Sequence, residues 1–193
     1  AHDAMVETHG ALKQLAVSLM KIANDIRMLC SGPRSGIGEI IIPENEPGSS
    51  IMPGKVNPII PEMARQVACS VAGNHTTITM ANAACGHTQL GVGSPIIIDS
   101  FLSSATEMGD MCEAFASNCI DGLEINQDNV DAHLGLSPAL ATVLNERLGY
   151  DQVAKGVKLS VEKNIPLKQV FCEELKLISA EEYDVVVDPR NMV

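Results

Sequence analysis

Apolar residues in the first thirty positions recur at alternating spacings of three and four, through Met5, Leu12, Leu15, Leu19, Ile22, Ile26 and Leu29, with Thr8 filling one step. That period fits a long helix carrying one continuous seam, and little else. Residues 95–121 repeat the pattern through Ile98, Phe101, Ala105, Met108, Cys112, Phe115 and Cys119. Between them, residues 59–83 place Met63, Val67, Val71, Asn74 and Ile78 on one stripe. Pro61 and the β-branched run around His75–Thr79 weaken that middle signal, but the flanking residues favour helix. Three long helices joined up and down form a bundle, so the fold class expected is all-α. Ala16 and Ala23 sit on a second flank of the first helix, where another helix could approach closely.

The character changes after Gly122. Asn126 can cap a helix reaching about His133, Ser137-Pro138 opens the next and Gly149 ends it, and a helix over Asp151–Lys163 closes at Asn164. Ser179-Ala180-Glu181-Glu182 reads as a capping box for a last short helix. Two domains are expected, a helical-bundle portion over 1–122 and a small helical domain over 123–193. With three Phe, two Tyr and no Trp, their cores must be aliphatic.

A net charge of −11 argues against nucleic acid and acidic membrane surfaces as partners. No apolar run is long enough for a transmembrane helix. The six cysteines, Cys30, Cys69, Cys85, Cys112, Cys119 and Cys172, form no CxxC pair and fall mostly in apolar helical stretches. They read as small hydrophobes in a reducing compartment, cytoplasmic or, in a eukaryote, mitochondrial. No metal site is expected. His2 and His9 share one helix face but lie about 10 Å apart along the axis, too far to hold one ion, and are read as part of a solvated face. His75, His87 and His133 have no partner spacing that suggests a metal.

The chemistry concentrates in residues 31–58, SGPRSGIGEIIIPENEPGSSIMPGKVNP, which has little helical period between two helical stretches. Structureless connections this long in a compact domain are often functional. Within Gly48–Pro58 stand two hydroxyls (Ser49, Ser50), a cation (Lys55) and a side-chain amide (Asn57). Asn57-Pro58 reads as an N-cap followed by proline at the first helical position, which would aim a positive helix end at the loop. Arg34 is read as pairing with Glu39 or Glu44 rather than steering a substrate.

The segment resembles the signature loop GSSxMPxKxN of the fumarase/aspartase superfamily. SGPR-x-GIGEI and IPENEPGSSIMPGKVNP are most similar to class II fumarases. The resemblance runs from AHDAMVETHGALK to DPRNMV, and corresponds to about the C-terminal two-fifths of a family subunit. It implies reversible hydration of fumarate to malate without a cofactor, in a homotetramer. It assigns Ser49 as the proton-abstracting base, and Lys55 and Asn57 to substrate binding. Ser50 joins them as a loop-structuring hydroxyl more than a catalytic one. Glu62 matches the carboxylate that pairs with an active-site histidine of another subunit. That histidine and further ligands belong to sequence upstream, so these 193 residues alone are expected to be inactive, with a mobile loop. Two alternatives stand: an aspartase, toward which IIPEM and HTQLGV lean, and a non-catalytic helical assembly domain, which the heptad seams support.

Overall fold

The computed structural model describes residues 1–192, which form two compact units, Ala1–Asn126 and a second beginning at Gln127. The first is built on three long helices, α1 (Asp3–Leu29), α2 (Ile59–Ala84) and α3 (Ser94–Phe115), the last continued by a wider π turn through Ile120. Helix α2 lies between the others and packs along both, while α1 and α3 meet each other little. Neighbours run antiparallel. The amide of His2 donates to Asn82 Oδ1 at 2.6 Å at one end of the α1–α2 pair, and Arg27 meets Glu62 at the other. Asn74 Nδ2 donates to Ser104 Oγ at 3.0 Å between α2 and α3.

The all-α class holds: the strands among the described residues are two-residue pieces in two small antiparallel ribbons. One pairs β1 (Ile40–Ile41) with β4 (Glu124–Ile125). The other is the hairpin of β2 (Gly86–His87) and β3 (Leu90–Gly91), at the break expected between α2 and α3.

The predicted seams are half right. On α1 the row Met5–Leu12–Leu19–Ile26 turns toward the core, but Leu15 and Ile22 are 49% and 46% exposed. The next position round the helix takes the buried place each time, at His9, Ala16 and Ala23, all 0% exposed. Helix α3 repeats the shift. Phe101, Met108, Phe115 and Cys119 pack as read, whereas Ile97, Ser104 and Met111 are buried in place of Ile98, Ala105 and Cys112. The reason is steric. Ala16 and Ala23 join Ala64, Ala68 and Val71 of α2 in one fully buried cluster, so backbones approach where side chains are small. The larger residues beside them stay at the surface of the unit.

The solvated face expected for His2 and His9 is also overturned. His9 is fully buried: its ring centroid stands 5.4 Å from that of His75 and 5.6 Å from that of Phe101. His2 is half-buried, its Nε2 3.0 Å from Ser94 Oγ. The expected N-cap at Asn57 fails as well, since α2 begins after Pro58 and no side chain caps it.

The second unit follows the punctuation of its sequence. Helix α4 spans Gln127–Leu136, a 3-10 run covers Pro138–Leu144, and α5 (Asn145–Leu148) ends at Gly149. Helix α6 (Tyr150–Lys163) stops at Asn164 in the left-handed conformation, φ 51°. Short α7 (Leu167–Gln169) leads through a π turn toward α8 (Ala180–Val186). Half of the capping box forms: the Glu182 amide donates to Ser179 Oγ at 3.1 Å, but the Glu182 carboxylate turns to Arg147 instead. The core gathers Leu144, Val153, Leu167, Phe171 and Tyr183. Burial, then the nearby Cys172 and Asp184, push the Tyr183 phenol up to about 12. Gly156 is required by contact, because a Cβ there would lie 2.3 Å from Phe171 Cζ.

Among the described residues no helix is long and apolar enough to cross a membrane, and all six cysteines are free thiols. Ala23→Leu should cost ~1–3 kcal/mol of unfolding free energy by overpacking the α1–α2 seam. Ile22→Ala, one position away on the exposed row, should stay within about 0.5 kcal/mol. Urea unfolding of the two variants measures the difference.

Candidate active site

The chain between α1 and α2 is fixed in stages before it reaches the signature loop. The Glu39 amide donates to Leu29 O, and the β1–β4 ribbon follows. Asn45 Nδ2 then donates to Asn118 O at 3.1 Å, beside the end of the α3 π turn. These ties deliver residues 47–57 to the end of the bundle where α1 finishes and α2 begins.

The loop itself is closed at its base. Pro47 and Val56 form an isolated antiparallel bridge, and the Gly48 amide donates to Lys55 O at 2.7 Å. Asn57 Nδ2 donates to Gly48 O at 3.1 Å. This is what Asn57 does in place of capping α2: its amide ties the two strands of the loop together. A Cβ on Gly48 would stand 2.8 Å from Lys55 O and 2.9 Å from Asn57 Cγ, so the closure depends on glycine there.

Ser49 lies half-buried just inside this closure. Its Oγ accepts from two backbone amides, Ile51 N–H and Met52 N–H, each at 3.3 Å. Two donors converging on one hydroxyl oxygen favour negative charge on it. Ser50 and Lys55 are exposed on the same loop, and the carbonyl of Lys55 touches the residue before Ser49. Ser49 is therefore half-buried on a loop whose following residues, 50–56, are exposed, and it belongs to none of the hydrophobic clusters.

Glu62 stands in the first turn of α2, where a carboxylate interacts favourably with the helix dipole. Its Oε1 accepts from Arg27 Nε at 3.1 Å, with both side chains partly exposed. The sequence reading did not anticipate Arg27. The pairing depends on how the last turn of α1 meets the first turn of α2, which no spacing reveals. Glu62 also lines an open cleft of about 240 Å³ with Arg65, Gln66 and Cys69. Arg34 is exposed and makes no ion pair among the described residues, so the expected pairing with Glu39 or Glu44 is not formed. The loop thus joins the backbone of Lys55 and the side chain of Asn57 to Gly48, the residue before Ser49, while Glu62 stands at the base of the adjoining helix. No group of three or more potential metal ligands occurs among the described residues. A larger cavity, about 360 Å³, opens in the second unit beside Leu140, Lys168 and Tyr183, remote in sequence from these residues.

Residues 1–73 match a family model described as lyase, and residues 140–193 match one described as the fumarase C C-terminus. The whole chain is 52% identical to class II fumarate hydratase of Haemophilus ducreyi, covering 41% of that protein. Among solved structures, class II fumarase of Schistosoma mansoni superposes with a TM-score of 0.90 at 38% identity, over 100% of this chain and 40% of that one. A fumarate lyase:delta crystallin of Brucella melitensis gives 0.91 at 42% identity, over 98% of this chain and 40% of that one. The chain belongs to the fumarase/aspartase superfamily, with class II fumarate hydratases among its relatives. It spans about two-fifths of the length of these relatives.

Asn57→Ala should open the loop at its base. Amide hydrogen exchange at Gly48 should then rise by about tenfold or more, while the amides in the middle of α2 keep their protection.

Proposed function

We propose that this chain supplies the serine-loop part of a fumarate hydratase, a lyase that adds water across fumarate to give malate and reverses the reaction. The observation that carries the reading is the pair of amides, Ile51 N–H and Met52 N–H, aimed at the Oγ of half-buried Ser49. A serine alkoxide is needed because the proton to be removed lies beside a carboxylate and is only weakly acidic. Ordinary hydroxyls are poor bases, and hydrogen bonds to the ionised form lower the cost of making one.

In the elimination direction Ser49 Oγ takes a proton from the methylene carbon of malate, the one that does not bear the hydroxyl. The C–H electron pair moves into the adjoining carboxylate, which becomes doubly negative and resembles an enediolate, so that the substrate as a whole is a trianion. This charge needs donors and a cation fixed in advance, a role assigned to Lys55 and to Asn57 at the loop base. The pair then returns to form the double bond as the C–O bond breaks. The departing hydroxyl leaves as water with a proton from a group outside this chain. Glu62 is assigned to orient a histidine of another subunit, and Ser50 to shaping the loop. The site would be composite, completed by upstream sequence and neighbouring subunits of a homotetramer. Exposed apolar residues on α1 and α3, among them Leu15, Ile22, Ile98 and Leu102, support assembly of that kind. Six free thiols fit a reducing compartment.

The rival substrate is aspartate. The relatives described above include a fumarate hydratase and a fumarase, which favours water over ammonia as the group added. In a full-length subunit containing this chain, Ser49→Ala should lower malate turnover by about 10²–10⁴-fold. Aspartate should give no ammonia with either form. The 193-residue chain alone should be inactive once host fumarase is excluded. Turnover unchanged by Ser49→Ala would remove the assignment and leave the helical assembly reading.

A further inference from the structure

The buried imidazole pair between α1 and α2 is not used by the chemistry above. His9 is 0% exposed and His75 half-buried. Their Nδ1 atoms stand 3.3 Å apart, while the ring centroids are 5.4 Å apart with planes only 15° from parallel. Nitrogens so much closer than the centroids mean that each ring turns its Nδ1 edge toward the other. The contact is head to head, not face to face. Two bare nitrogens there would repel, and two N–H groups would collide. One hydrogen must lie between them, donated by one ring and accepted by the other.

The second nitrogen of His9 decides which ring donates. His9 Nε2 is buried and has no hydrogen-bond partner among the described residues. If His75 donated, neutral His9 would carry its hydrogen on Nε2, as a buried donor with nothing to bond. If His9 donates, its Nε2 is a bare acceptor, which is the more tolerable orphan. His75 then holds its own hydrogen on Nε2. We propose that His9 and His75 form a one-proton latch between α1 and α2, His9 donating from Nδ1, and that a second proton parts the rings and loosens this end of the bundle.

The surroundings oppose that second proton on balance, although a backbone hydrogen bond within His9 favours it. On α3 the ring of Phe101 packs edge-on against His9, with centroids 5.6 Å apart. On α1, Lys13 lies one turn beyond His9 and is the charged group acting on both rings. On α2 the facing titratable group is His75 itself. Burial, the partner imidazole and Lys13 hold His9 below the ordinary histidine range, and burial followed by Lys13 does the same for His75. The sign follows from linkage. An unfolded chain binds protons at these positions more readily than the folded one, so the latch contributes its full stability above the unfolded histidine pKa. That contribution is lost as pH falls from there through the lower folded values.

The test uses the intact 193-residue chain labelled with ¹⁵N. Ring-nitrogen NMR at pH 7.5 should show His9 with its hydrogen on Nδ1 and His75 with its hydrogen on Nε2, both protonating below a histidine in an unstructured peptide. Hydrogen exchange, corrected for intrinsic rates, should accelerate about tenfold between pH 7.5 and 5.5 in residues 5–13 and 71–79. In His75→Asn, whose amide can accept from His9 without titrating, that acceleration should fall below about twofold. The same tautomer on both rings, ordinary titration of either, or an undiminished acid response in His75→Asn overturns the proposal. Should His75→Asn fail to fold, the ring spectra of the unmutated chain decide alone.

Discussion

The close approach of α1 and α2 is the constraint on which the rest of the first unit depends. Ala16, Ala23, Ala64 and Ala68 are all fully buried. Small side chains allow two backbones to come near enough for contacts at both ends of the pair to form. At one end these are the amide of His2 on Asn82 and the imidazole pair; at the other, Arg27 on Glu62. The last ion pair is partly exposed, so it contributes little stability of its own, roughly 0–1 kcal/mol. Its value is positional: it exists only because the alanine seam sets the spacing.

The signature loop borrows its order from that frame in a different way. It contributes few apolar contacts, and hydrogen bonds hold it: the Gly48–Lys55 closure, the Asn57 amide across the base, and the two amides on Ser49. A backbone that surrounds a hydroxyl with donors prepares it to carry charge before any substrate arrives, which is the preorganisation a difficult deprotonation requires. The loop lies at the junction of α1 and α2, where most of its residues are exposed.

Helix existence was legible because an apolar period of three and four has one good solution. The facing of each helix was legible only in part. Leu15 and Ile22 are the larger apolar residues on α1, and a hydrophobicity argument places them inside; the structure buries the alanines beside them. His9 was misread for the same reason, since a polar ring on a helix is ordinarily solvated, and its burial depends on a partner 66 residues away. Asn57-Pro58 showed a real local preference for capping, which lost to the demand for an amide across the loop. The family of the chain was legible through the loop motif, whereas the approach of Arg27 to Glu62 was not.

Local order along the chain was therefore written into the amino-acid sequence: three long helices, the glycine-rich loop between the first two, and the shorter helices after Gly122. Spacing, capping residues and helix breakers act over a few residues and need no tertiary partner. Tertiary structure alone decided which of two adjacent rows on each helix became core, which carboxylate met which guanidinium, and that two histidines would share a proton. Those outcomes depend on interhelical distance, and that distance is set by the smallest side chains on both helices at once.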